Sequence, residues 1–256
     1  MNHGLLFFHQ GWTDIINCLP LINIYAEKYK RLFVLAREDA SPMILFYVRG
    51  LRNVVPIFKT KQQLDTIPWF NLINTQQLGI TRFELIAHYD HMRLQNDPYN
   101  GAYMRLNKAQ PTFTFERLFY ESYGLPYSDR VDKFTLYRNP DVEEQTYNRL
   151  VKKEPYICVH NYSELGNINT SQFDDMSVIE LDKSSYMFFD MIRVLQHAKE
   201  IHLADSVWAA VCYMIDARYG LLQDVPVYVY CFRDFYRMFT EPKKLSNWNI
   251  IMKYNL

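Results

Sequence analysis

Short apolar runs alternate with stretches of helical periodicity from the first residues onward, and this alternation limits the chain more than any other feature. Residues 4–8 form a continuous apolar run, as in a strand buried on both faces of a parallel sheet. Behind it Ile15, Leu19, Ile22, Ala26 and Tyr29 recur at helical spacing and predict an amphipathic helix over about 13–30. A strand at 32–36, a helix at 43–50 ending on glycine and a strand at 53–58 follow. Strand, helix, strand, helix, strand is the half-domain of a doubly wound α/β fold.

The middle is less regular. Residues 69–73 read as a fourth strand, 83–92 as a helix, and the turn-forming run 95–101 as a loop. Helices follow at 113–123, closed by Gly124, and at 141–151, which opens with acidic residues. The alternation then resumes. Strands are expected at 156–160 and 177–181, a helix at 186–197, and a strand at 200–203. A helix at 206–219 with the apolar face Trp208, Val211, Cys212 and Ile215 is capped by Gly220, and 227–231 is the last clear strand. The expected fold class is α/β: two Rossmann-like lobes with mainly parallel sheets, facing one another across a cleft. The boundary falls within 126–140, giving lobes of 1–130 and 131–256.

Composition narrows the functions. Lys plus Arg number 28 and Asp plus Glu number 28, so no global positive field gathers a polyanion, and nucleic acid is not an expected partner. Hydrophobic residues make up 49% and aromatics 16%, enough for a chain folded throughout. The apolar run at 4–8 is too short for a transmembrane segment or a signal-peptide core, so the expected location is cytoplasmic. Cys18, Cys158, Cys212 and Cys231 are widely spaced inside apolar patterns and read as reduced core residues.

Polar residues gather where the predicted strands end. After the first strand comes the turn His9, Gln10, Gly11, Trp12, Thr13, Asp14, where a helix N-terminus presents free N–H groups to an anion. The alternative is that Thr13 or Asp14 merely caps that helix. The turn is not a GxGxxG fingerprint, which disfavours a dinucleotide-dependent epimerase or oxidoreductase. In the second half His160, Asn161 and Ser163 end one strand, and Asp182 follows the next, where such folds often hold a ribose hydroxyl. A histidine with a purely structural role is the alternative for His160. His88 and His91 lack an evident third ligand, Asp174 with Asp175 is only an echo of a DxD motif, and Arg193 and His197 read as surface residues; no metal site is expected.

Two segments carry a family resemblance. Asp14-Ile15-Ile16-Asn17-Cys18-Leu19-Pro20 resembles the start of the heptosyltransferase-like GT-B glycosyltransferases, in which a glycine-containing turn leads to an aspartate followed six residues later by proline. Ala198-Lys199-Glu200-Ile201-His202-Leu203-Ala204-Asp205-Ser206 is similar to the turn of many GT-B donor lobes, where an Asp-Ser or Asp-Thr pair opens a helix beneath the sugar nucleotide. The alternative there is capping by Asp205 or Ser206. This sequence departs from the heptosyltransferase pattern at Thr13, where a glycine is common, and at Ala209 and Ala210, near which a histidine is expected.

The resemblance implies Asp14 as catalytic base, with His9, Gly11, Trp12 and Thr13 around it on an acceptor lobe. It implies a donor turn at Asp205 and Ser206, and His160, Asn161, Ser163 and Asp182, placed at strand ends of the same half, complete the expected donor contacts. The implied reaction is inverting, metal-independent transfer from a nucleotide-diphosphate sugar to a glycan hydroxyl, with no cofactor beyond that co-substrate. Thr13 and the missing histidine favour a competing class, a GT-B-like protein that binds a nucleotide or glycan without turnover.

Overall fold

The computed structural model describes residues 2–8, 11–67, 69–86, 115–121, 123–163, 166–173, 175–181, 188–232 and 245–252. The chain divides into two compact units, Met1–Thr135 and Leu136–Leu256.

In the first unit β1 (His3–Phe8), α1 (Trp12–Lys28), β2 (Arg31–Arg37), α2 (Ser41–Val48) and β3 (Val54–Lys59) form the expected βαβαβ run. Two short helices, α3 (Lys61–Thr66) and α4 (Trp69–Leu72), lead to β4 (Ile80–Ile86). The strands are ordered β3-β2-β1-β4, all parallel. Leu5, Leu6 and Phe7 are all fully buried, as a central strand covered on both faces requires. On one face Leu5, Phe7, Phe33 and Leu35 pack with Leu64 of α3 and Ile73. Asn53 donates to the carbonyls of Ala26 and Tyr29 at 2.8 and 3.0 Å and so closes the C-terminus of α1.

Two expectations in this unit are overturned. Residues 69–73 do not form a strand; α4 begins at Trp69, directly after Pro68 in the sequence, and proline favours the opening of a helix. Residues 83–86 are strand rather than helix, because β4 supplies the parallel partner that β1 needs on its second edge. Tyr29 reinforces that edge by donating its hydroxyl to Glu84 at 2.8 Å. Later in the chain, α5 (Phe115–Glu121) and α6 (Asp129–Asp132) pack on α1, and the Tyr120 hydroxyl donates to the Asn17 carbonyl at 2.6 Å.

The second unit opens with α7 (Pro140–Leu150), β5 (Tyr156–His160) and a small hairpin of β6 (Tyr162–Ser163) with β7 (Gly166–Asn167). Then come β8 (Ser177–Glu180), α8 (Ile192–Gln196), β9 (Glu200–Ala204), α9 (Val207–Tyr219), β10 (Val227–Cys231) and β11 (Trp248–Met252). The main sheet is ordered β11-β10-β9-β5-β8, again all parallel. The helix expected over 186–197 is a 3-10 turn, Phe188–Met191, running into α8. Not one stripe but nearly the whole of α9 is buried, from Trp208 through Ala217. Gly220 ends α9 in the left-handed region at φ 65°, which a residue without Cβ adopts at no steric cost.

β11 was not among the expected strands. It is tied to α9 by Asp216, a residue only 2% exposed, whose carboxylate accepts from Leu222 N–H at 2.9 Å and from the Trp248 indole at 2.9 Å. A buried carboxylate supplied with donors in this way fixes a tertiary contact that apolar packing alone leaves loose.

Candidate functional site

Strand order locates the crevices. From β5 the chain moves outward to β8 and then returns to lay β9 on the other side of β5, so the order reverses between β5 and β9. Ligands of doubly wound sheets bind beyond the carboxyl ends of the strands at such a reversal. His160 is the last residue of β5 and pairs in register with Leu203 of β9. Two residues beyond β9, Ser206 places its Oγ 2.9 Å from His160 Nδ1. Ser206 is the N-cap position of α9, yet its side chain makes no capping hydrogen bond. The hydroxyl is turned to the histidine instead of to the helix.

His160 is 5% exposed, and burial pulls its imidazole down from 6.5 to about 4. At neutral pH the ring is uncharged and works as a hydrogen-bonding group, not as a cationic clamp. Electropositive character comes from the N-terminus of α9, a 13-residue helix. Asp205 is fixed through its backbone, donating N–H to the Tyr230 carbonyl at 3.1 Å. The Cys231 thiol is pushed up to about 12, chiefly by burial and further by the Asp205 carboxylate.

The hairpin after β5 completes this edge. Asn161 accepts from Ile168 N–H at 3.3 Å, and its side-chain Oδ1 is shut off from solvent with no hydrogen-bond partner. Ser163 is buried on the hairpin. A Cβ on Gly166 would stand 2.4 Å from the Phe232 ring, one residue past β10. Because β9 lies between β5 and β10, a hairpin that starts at β5 and touches Phe232 crosses the carboxyl end of β9. His160, Asn161, Ser163, Asp205 and Ser206 therefore share one edge of this sheet.

In the first unit the order reverses between β1 and β4, and the segment Gly11–Asp14 follows β1. Gly11 is the N-cap of α1 at φ −68° and ψ 143°, a conformation open to any residue, so the backbone here does not require glycine. Glycine's effect here is to put no capping side chain on the helix. Thr13 and Asp14 lie inside the first turn, and Ile15 N–H makes the first helical bond to the Gly11 carbonyl at 2.8 Å. Trp12 is covered by the Arg37 guanidinium, 5.4 Å from its ring centre, and Arg37 is paired with Asp39. Asp14 is half-buried and shares a helix face with Cys18, whose thiol burial raises first and the Asp14 charge raises further. His9 and Asp182 lie outside the described residues, as do His88, His91 and Asp174.

Sequence reasoning missed the support beneath the second site. Glu200, His202 and Ala204 share one face of β9 while Ile201 and Leu203 take the other. Polar residues at every second position of a buried strand were the available signal. His202 Nε2 lies 3.1 Å from Glu200 Oε2, and its Nδ1 lies 3.0 Å from the Tyr230 hydroxyl. Arg193 meets the expectation of a surface residue, pairing with Glu144 at 2.8 Å across two partly exposed side chains.

No protein-family model matches the sequence, and no curated protein matches it. Solved structures do. The ADP-heptose LPS heptosyltransferase II of E. coli superposes with a TM-score of 0.53 at 13% identity, over 98% of this chain and 90% of that one. A family 9 glycosyl transferase from Veillonella parvula gives a TM-score of 0.56 at 9% identity, over 98% of this chain and 87% of that one. The fold is that of the GT-B glycosyltransferases. Among the described residues no cluster of three or more His, Cys, Asp or Glu side chains is gathered as for a metal ion, and no helix is long and apolar enough to cross a membrane.

Proposed function

We propose that the protein is a glycosyltransferase that moves a sugar from a nucleotide-diphosphate sugar to a glycan hydroxyl, by an inverting and metal-independent route. The observation that carries the proposal is the contact of Ser206 Oγ with His160 Nδ1 at 2.9 Å, at the strand-order reversal of the second unit's parallel sheet. It leaves the first N–H groups of α9 uncapped by the Ser206 side chain, as a diphosphate requires. Ser206, His160 and Asn161 are assigned to the donor, with Ser163 and Asp205 holding the surrounding loops. Asp182 is assigned to the ribose.

Asp14 is assigned as the base. A carboxylate in the first turn of a helix stays where the dipole favours its charge, and it takes the acceptor proton as the new glycosidic bond forms. His9, Gly11, Trp12 and Thr13 are assigned to the acceptor side. Charge developing on the leaving diphosphate is met by the α9 N-terminus instead of a cation.

The test is thermal stabilisation by a panel of nucleotide sugars with and without a chelator, followed by transfer assays with the best binder. A native-state ligand at 100 times its dissociation constant adds about 2.7 kcal/mol. Stabilisation and turnover that persist in chelator support the proposal; stabilisation without turnover supports a binding protein; no stabilisation by any nucleotide sugar overturns the transferase and leaves only a glycan-binding protein.

A further inference from the structure

A buried polar chain runs under the donor edge of the second unit and ends on the residue that holds Asp205. Glu200, at the start of β9, has a side chain 32% exposed, while that of His202 is 6% exposed. An ionised carboxylate only accepts, so the hydrogen on the imidazole sits on Nε2, facing Glu200 at 3.1 Å. That leaves Nδ1 as a lone pair, to which the Tyr230 hydroxyl donates at 3.0 Å. The imidazole is stacked on Tyr228 at 4.8 Å with an 8° tilt, and Phe173 packs against it at 4.4 Å. On its other flank the register partner of His202 is Val159 of β5. The groups facing the ring are therefore Glu200 from its own strand, Tyr228 and Tyr230 from β10, Phe173 from the 3-10 turn Thr170–Phe173, and the apolar Val159.

We propose that Tyr230 is a positioning residue for the Asp205–Ser206 turn and that the Glu200–His202 pair sets the direction of its hydroxyl, so that a proton taken up by His202 is felt at the donor turn. The link is covalent and short: the Tyr230 carbonyl accepts the Asp205 N–H at 3.1 Å, and Asp205 precedes the residue that meets His160. A second arm runs through Phe173 and Ile168, which pack in one cluster with Tyr230, to the Asn161 carbonyl that accepts from Ile168. When Nδ1 gains a proton it changes from acceptor to donor, and the Tyr230 hydroxyl must turn its hydrogen elsewhere. Burial holds His202 below its ordinary range, so at neutral pH the donating arrangement stands. The part of this inference that concerns donor affinity rests on the proposed function.

Histidine-ring and amide resonances followed by NMR from pH 8 to 5 test it without any ligand. The Asp205 amide is expected to shift with the midpoint of the His202 ring, distinct from His160 at about 4. In Tyr230→Phe that response is lost while His202 still titrates. Glu200→Gln, which leaves Tyr230 in place, moves both midpoints down together. An Asp205 amide that ignores His202 in the wild type, or that follows it unchanged in Tyr230→Phe, overturns the inference. In parallel, calorimetry with a nucleotide sugar is expected to show affinity weakened about fivefold in Tyr230→Phe at pH 7.5, the size of one ordinary hydrogen bond. Absence of nucleotide-sugar binding at every pH overturns the donor assignment and leaves the NMR linkage standing, so the two fail separately.

Discussion

In the second unit the residues at the strand ends hold one another, His160 to Ser206 and Asp205 to Tyr230, whereas in the first unit α1 starts from Gly11 with no capping side chain. Both units use a parallel sheet and a helix that begins just past a strand, so the fold is not what separates them. The difference lies in what fixes the turn. A turn set beforehand by a side-chain contact and a backbone hydrogen bond would lower the ordering cost of binding the proposed donor. At α1 no side chain caps the helix start, and the proposed base, Asp14, stands in its first turn.

Acid is the strongest lever on this comparison, because the described buried histidines, His160 and His202, both belong to the second unit. His160 falls from 6.5 to about 4 through burial, so the fold favours its neutral form. Its contribution is complete above about pH 6.5, shrinks as pH falls, and is gone below about 4. A depression of this size corresponds to about 3 kcal/mol. His202 is shifted in the same direction. Hydrogen exchange at pH 7 and at pH 4.5 is expected to show protection lost in β5 and α9 before β1 and β2. Earlier opening of the first unit would break the comparison.

Asp14→Asn comes next. Asparagine keeps the size of the side chain and takes up no proton. Transfer is expected to fall about 100-fold, some 2.7 kcal/mol in the barrier, with donor affinity and melting temperature little changed. Because Gly11, not Asp14, is the N-cap of α1, a loss of folding in this variant would point to a structural role for Asp14 other than N-capping. Full activity would falsify the assignment of Asp14 as base.

The legible part of the fold was the part written in periodicity. Strands β1, β2, β5 and β10 stood out as apolar runs because inner strands of a parallel sheet are buried on both faces. Residues 83–86 misled because Phe83, Glu84, Leu85 and Ile86 suit a helix locally, and only the open edge of β1 decides for a strand. β11 was missed because its anchor, Asp216, acts through hydrogen bonds to a distant indole that no local pattern reveals. Sequence named His160 and Ser206 separately; their contact depends on β5 and β9 being neighbours, which is a property of the sheet order. Capping was the natural alternative at both turns, since helix starts usually carry such a side chain, and neither N-cap position uses one.

The smallest expected effect separates the two turns most cleanly. Ser206→Ala removes the hydroxyl that meets His160 Nδ1, and a net hydrogen bond of this kind contributes about 1 kcal/mol. Thr13→Ala, in the first turn of α1, touches no N-cap side-chain bond and is expected to change stability by less than about 0.5 kcal/mol. Denaturant unfolding of the two variants beside the wild type measures both, since each leaves the unfolded chain nearly unaltered and the midpoints compare directly. Nucleotide-sugar affinity should drop about fivefold in Ser206→Ala and stay unchanged in Thr13→Ala. Equal stability losses in the two variants would mean that the Ser206–His160 contact does not set its turn, and the contrast between the units would then rest on sheet order alone.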